Sequence, residues 1–170
     1  MEQFVVSNQI ESFEQLQGFV EQRVPNFEKL AEERQGIAEQ IARLERLLYA
    51  YSELQPYMEC HKTSNSMKGF AKRNYDKAHQ TELEMYDSYR ADLKKMLASN
   101  EKITPKKWTE QKAQLEAKLR ESNPSYAKVV TELASAEVIE HNRKMLVAER
   151  EAEQRQQSRS QKQRKNEQSL

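Results

Sequence analysis

An elongated, all-α protein is predicted by three features of this sequence. Glu, Gln, Lys, Arg, Ala and Leu dominate it, and these are strong helix formers. Only three glycines and four prolines punctuate the 170 residues, which leaves few turns. Hydrophobic residues make up 36% and charged residues 32%, so apolar surface is scarce for an ordinary globular core. Such a composition suits long helices that bury a narrow seam. The expected architecture is a long antiparallel coiled-coil hairpin with shorter accessory helices and a frayed C-terminal tail.

Residues 1–11 read as a lead-in. A helical region follows over 12–150, and a polar, basic, low-complexity tail over 151–170. Ser12 with Gln15 three residues later makes a capping box. Phe13, Leu16, Phe19 and Val20 give a short first helix its apolar face, which Gly18 weakens. Pro25 occupies a tolerated first-turn position of a second helix. The seam of that helix is Phe27, Leu30, Arg34, Ile37, Ile41, Leu44, Leu48 and Tyr51. Its steps alternate between three and four, a heptad pattern broken once by Arg34. At about 1.5 Å per residue it forms a rod of roughly 46 Å.

Pro56 kinks or ends this rod. The stretch CHKTSNSMKG then reads as a connection, because Ser, Thr and Asn favour caps and turns. A third helix is expected from about Met67 to Ala98; with the second it forms the predicted hairpin. Thr104 and Pro105 cap and start a fourth helix, which carries Trp108, Leu115 and Leu119 on one side. Asn123 and Pro124 stop it and start a fifth, lined by Tyr126, Val130, Leu133 and Ala136. Apolar residues give out after Leu146, so residues 151–170 lack the area to order themselves and are expected to form a frayed helix or a disordered tail.

The stretch YDKAHQTELEMYDSYR, Tyr75 to Arg90, gathers three tyrosines, a histidine and several carboxylates. Tyr75, His79, Glu82, Tyr86, Tyr89 and Leu93 step by four and three, as a helix-packing stripe does. Tyrosine suits a thin helix interface, since its ring buries while its hydroxyl stays wet. One His and one Glu supply two metal ligands at most, whereas zinc needs three or four. Gly-rich phosphate loops and nucleophile elbows are absent from the sequence. Cys60 and His61 are adjacent and point apart on a helix. No metal, cofactor or catalytic residue is expected, and the chain alone is not expected to be an enzyme. Cys60 is the only cysteine, which excludes an internal disulfide and fits a reducing cytoplasm. The start MEQFVVSNQI lacks the pattern of a secretory signal, and no apolar run approaches the roughly 20 residues of a membrane span.

Charge is uneven although the net is +1. Residues 1–61 hold 11 acidic and 5 basic side chains, whereas residues 62–120 hold 8 acidic and 14 basic. Attraction between an acidic and a basic helix favours an intramolecular hairpin. The competing expectation is that Lys68, Lys72, Arg73 and Lys77, with Lys106 and Lys107, face the phosphates of a nucleic acid. Lys68, Lys72 and, more loosely, Lys77 are expected along one side of the third helix. The tail cluster of Arg155, Arg159, Lys162, Arg164 and Lys165 is ambiguous in the same way. Pairing of the first four cations with second-helix carboxylates would weaken the nucleic-acid reading.

The order of these elements resembles a known family. LERLLYAYSELQPYMEC ends an amphipathic helix. Tyr75 to Tyr86 gives Y-x-x-A-H-x-x-E-L-x-x-Y, Ile103 to Trp108 gives I-T-P-K-K-W, and a Leu-spaced helix leads to Y-x-x-V at Tyr126. Over roughly residues 12–150 this is similar to the C-terminal helical region of relaxases, the mobilisation nucleases of conjugative and mobilisable elements in Gram-positive, Clostridia-like bacteria. Tyr89 departs from the family, where a small residue follows the last tyrosine. The metal-binding histidine cluster and attacking tyrosine of the family's nuclease domain have no counterpart in this chain. The resemblance therefore implies a non-catalytic accessory module of DNA mobilisation. Its implied partners are DNA, the relaxase nuclease domain or transfer-machinery proteins. The alternative is a free-standing coiled-coil scaffold without a DNA role. One helical seam serves a hairpin and a homodimer equally well.

Overall fold

The computed structural model describes the backbone of residues 2–167 and the side chains of residues 3–156. The fold is all-α, with no strand among the described residues. Six α-helices follow in order: α1 (Glu2–Ser7), α2 (Phe13–Leu54), α3 (Met58–Ser66), α4 (Gly69–Ala78), α5 (Gln80–Met96) and α6 (Pro105–Glu167). A single 3-10 turn, Gln55–Tyr57, joins α2 to α3 at Pro56. None of the described helices is long and apolar enough to cross a membrane.

Several helix ends expected from local signals are not ends. The first and second predicted helices are one, since α2 runs through both Gly18 and Pro25. The fourth and fifth are likewise one, with Pro124 inside α6. Proline in a helix interior costs about 3 kcal/mol, because it lacks an N–H and crowds the preceding turn. An aromatic contact just after each proline holds the two helices together there. Phe27 stacks on Tyr126 at 5.7 Å, beside both prolines in sequence. The expected connection after Cys60 is α3 itself. Some of its polar side chains bond within the helix, as Ser66 Oγ does to the Thr63 carbonyl at 2.7 Å. In the other direction, the predicted third helix is divided. Met67 and Lys68 are extended, and Gly69 enters α4 at φ 61°, a left-handed conformation that glycine, lacking a Cβ, adopts at little cost. His79 then leaves helical geometry at φ −119° and ψ 28°, while the backbone bonds on either side of it persist. In the expected tail the backbone of α6 is helical to Glu167. Its Glu, Gln, Arg and Ala content suits a helix without a core.

Chain contacts sort the residues into two compact units. The first comprises residues 1–31 and 123–170. Its buried side chains are Leu16, Val129 and Ala136, with Glu132 among them. Arg23 Nε lies 3.1 Å from Glu132 Oε2, an ionic contact whose N–H is not aimed for a hydrogen bond. The Arg143 guanidinium sits 3.5 Å over the Phe13 ring. Pairing of Phe27 with Tyr126, Arg23 with Glu132 and Phe13 with Arg143 makes the two helix segments of this unit antiparallel. At its start the capping box closes: Ser12 Oγ accepts the Gln15 N–H, and Gln15 Oε1 accepts the Ser12 N–H, both at 3.2 Å. Ser12→Ala should cost about 1 kcal/mol, read as a lower thermal midpoint, and an unchanged melt would show the box to be ornamental.

The second unit comprises residues 32–122. Its core joins Leu44, Leu47 and Leu54 of α2, Leu93 of α5 and Trp108 of α6. Tyr86, Tyr89, Leu97, Ile103 and Leu115 pack around them. Here α2 pairs with α6 as well as α5. Arg34, the interruption in the heptad seam, donates to the Leu119 carbonyl at 3.1 Å and to Ser122 Oγ at 2.6 Å. Lys112 meets Glu45 at 2.8 Å, and Arg43 meets Glu101. The segment of α6 that follows Thr104 therefore takes up much of the contact expected of residues 67–98.

Candidate nucleic-acid interface

α4 is set at an angle to α3 by the extended pair Met67–Lys68 and the positive φ of Gly69. It packs on α3 and α5, and its two faces differ. The inner face carries Lys72, Tyr75 and Asp76. Ser64 of α3 is only 3% exposed. Its Oγ donates to Asp76 Oδ1 at 2.5 Å and accepts from Lys72 Nζ at 2.5 Å. Lys72 Nζ also donates to the Ser64 carbonyl at 3.1 Å and pairs with Asp76 at 3.2 Å. This arrangement ties α4 to α3.

The Ser64 hydroxyl first, and Lys72 second, hold the Asp76 carboxyl below the ordinary carboxylate value. A carboxylate whose folded-state pKa is depressed contributes stability above its unfolded value, and that contribution is lost as pH falls through the folded one. Asp76→Asn should therefore lower stability at pH 7 and flatten its decline in the acid range below about pH 4. Unfolding titrations of the two proteins across that range test this; parallel curves would contradict it.

The outer face carries Phe70, Arg73, Asn74 and Lys77, at i, i+3, i+4 and i+7. All four are exposed, and Phe70 is 74% exposed. Lys68, immediately before the helix, is exposed as well. Among the described residues, none of Lys68, Arg73 or Lys77 is paired with a carboxylate. The sequence placed Lys72 with these cations, but its ammonium points the other way, into the tie with Ser64 and Asp76. None of the four pairs with an α2 carboxylate among the described residues. Lys106 and Lys107 are exposed in the first turn of α6, apart from the α4 surface in sequence and in helix. Of the tail cluster only Arg155 has a described side chain, and it pairs with Glu151 at 3.4 Å; Arg159, Lys162, Arg164 and Lys165 lie outside the residues whose side chains are described.

The expected packing stripe is split between two sets of contacts. Leu93 is fully buried, and Tyr86 and Tyr89 pack against the core around it. Tyr86 also stacks on His61 at 3.8 Å, and Tyr89 on Tyr57 at 5.7 Å. Tyr75 and His79 belong to the α3–α4 corner instead. The Tyr75 hydroxyl donates to Cys60 Sγ at 3.8 Å, and partial burial, with Cys60, pushes its pKa up, so the phenol stays neutral. His79 Nδ1 lies 3.5 Å from Glu82. No three His, Cys, Asp or Glu side chains converge as a metal site among the described residues.

Phe70 escaped the sequence reading. The signal is an aromatic at helical spacing from two cations, but its exposure follows only from how α4 packs on α3 and α5. No family model, curated protein or solved structure matches this chain.

Proposed function

We propose that this chain is a non-catalytic accessory module of a DNA-mobilisation system, akin to the helical tail of a relaxase, and that it contacts DNA through α4. The supporting observation is the set of exposed, unpaired cations at Lys68, Arg73 and Lys77, held on a helix whose inner face is tied down by Ser64 and Asp76. Unpaired cations on a fixed helix track phosphates and release counterions on binding. Antiparallel helix pairing, with the coiled-coil hairpin as its long form, supplies the scaffold that presents α4. The relaxase nuclease domain and transfer-machinery proteins are the protein partners this reading implies, in the cytoplasm.

Fluorescence anisotropy of the whole chain with single-stranded and duplex DNA, across a salt series, tests the reading. Micromolar binding that falls steeply with salt is expected. Absence of binding at low salt would overturn it. A scaffold reading has its own support in the exposed apolar side chains Val138, Met145 and Leu146 of α6, which suit a protein partner. Failure to bind DNA would favour it.

A further inference from the structure

We infer that the outer face of α4 is a stacking platform for unpaired bases, so that the nucleic acid it takes is single-stranded. The inference rests on the proposal that α4 contacts nucleic acid and goes beyond it by assigning Phe70. Phe70 is the most exposed aromatic ring on this helix, and Arg73 and Lys77 follow it on the same side at three and seven residues, with Asn74 between them. At the helical rise of about 1.5 Å per residue, Phe70 and Lys77 stand roughly 10 Å apart along the axis. That distance spans one to two nucleotides of an extended strand. A base on the Phe70 ring therefore leaves its neighbouring phosphates within reach of the two cations. Duplex DNA hides its base faces and gains only the cations. A single strand gains the ring as well, and every base has a face to stack, so the surface is tolerant of sequence. An anionic lipid surface fits less well, because α4 offers one large apolar side chain on that face, flanked by Arg, Asn and Lys, where an interfacial helix needs a broad apolar face.

The test compares labelled oligothymidine with a duplex of equal length, using the whole chain and Phe70→Ala. Phe70 is 74% exposed and lies outside the core cluster, so the variant should keep the wild-type melting curve. The inference expects single-strand affinity to fall roughly tenfold in Phe70→Ala, with duplex affinity and the salt slopes unchanged. Phe70→Trp should retain binding, and its added fluorescence should quench with oligothymidine while the buried Trp108 contributes a constant background. Equal single-strand affinity of Phe70→Ala and wild type would overturn the inference and leave the DNA-binding proposal standing. Failure of the wild type to bind either form would overturn both. Partition of Phe70→Trp into phosphatidylserine vesicles, without quenching by oligothymidine, would assign the surface to lipid and overturn the inference as well.

Discussion

Trp108→Ala is expected to destabilise residues 32–122 by about 3–5 kcal/mol. The indole is 2% exposed and is one of only five buried side chains in that core, with Leu44, Leu47, Leu54 and Leu93. A core so small cannot collapse around the hole that a lost indole leaves, so transfer and cavity costs add. The ring also helps fix the turn before α6. The Glu101 carboxyl is held low by the Ala98 N–H first, then by Arg43, and last by Trp108. Leu93→Ala and Leu47→Ala should each cost about 2–5 kcal/mol, and the pair should not be additive because both face the same cluster. Urea unfolding followed by circular dichroism reads these effects without needing the tryptophan signal. A midpoint shared with the wild type would mean that this cluster does not hold the unit together.

Replacing Lys68, Arg73 and Lys77 together by Gln should weaken DNA binding by about two orders of magnitude at low salt. The dependence of log K on log salt should become shallower by about 2–3, since each cation removed forfeits the release of roughly one counterion. These three side chains are exposed and make no ion pair among the described residues, so the fold should tolerate their neutralisation. Lys72→Gln is the informative contrast. Its ammonium is engaged by Ser64 and Asp76, so the variant should loosen the α3–α4 corner while leaving the salt slope unchanged. A slope unaltered in the triple variant would remove α4 from the DNA-binding surface.

Composition and hydrophobic spacing carried the helical class, and the Tyr86–Tyr89–Leu93 spacing led to residues that the second unit places in and around its core. Local punctuation misled where long-range packing decides the outcome. Pro25 and Pro124 look like first-turn residues because their neighbours, Asn26 and Asn123 among them, also suit helix ends; the stacking of Phe27 on Tyr126 is invisible without the partner segment. CHKTSNS looks like a loop because its Thr, Ser and Asn side chains can bond to nearby backbone in place of a helix. Ser64 finds its partner in Asp76, twelve residues away, and stays helical. The division at Gly69 and His79 matters most for the site. It sets the face that carries Lys72 and Asp76 against Ser64 of α3 and leaves Phe70, Arg73 and Lys77, which share a face in either register, exposed on the other side.

Acetylation footprinting of lysines, with and without oligothymidine, tests the central claim most directly. Each lysine reports its own accessibility by mass spectrometry in the whole chain. The account predicts that Lys68 and Lys77 lose reactivity on binding, while Lys62 and Lys95, exposed but paired with Glu59 and Asp92, keep theirs. Unchanged reactivity at Lys68 and Lys77 under saturating oligonucleotide, or protection confined to Lys106 and Lys107, would contradict it.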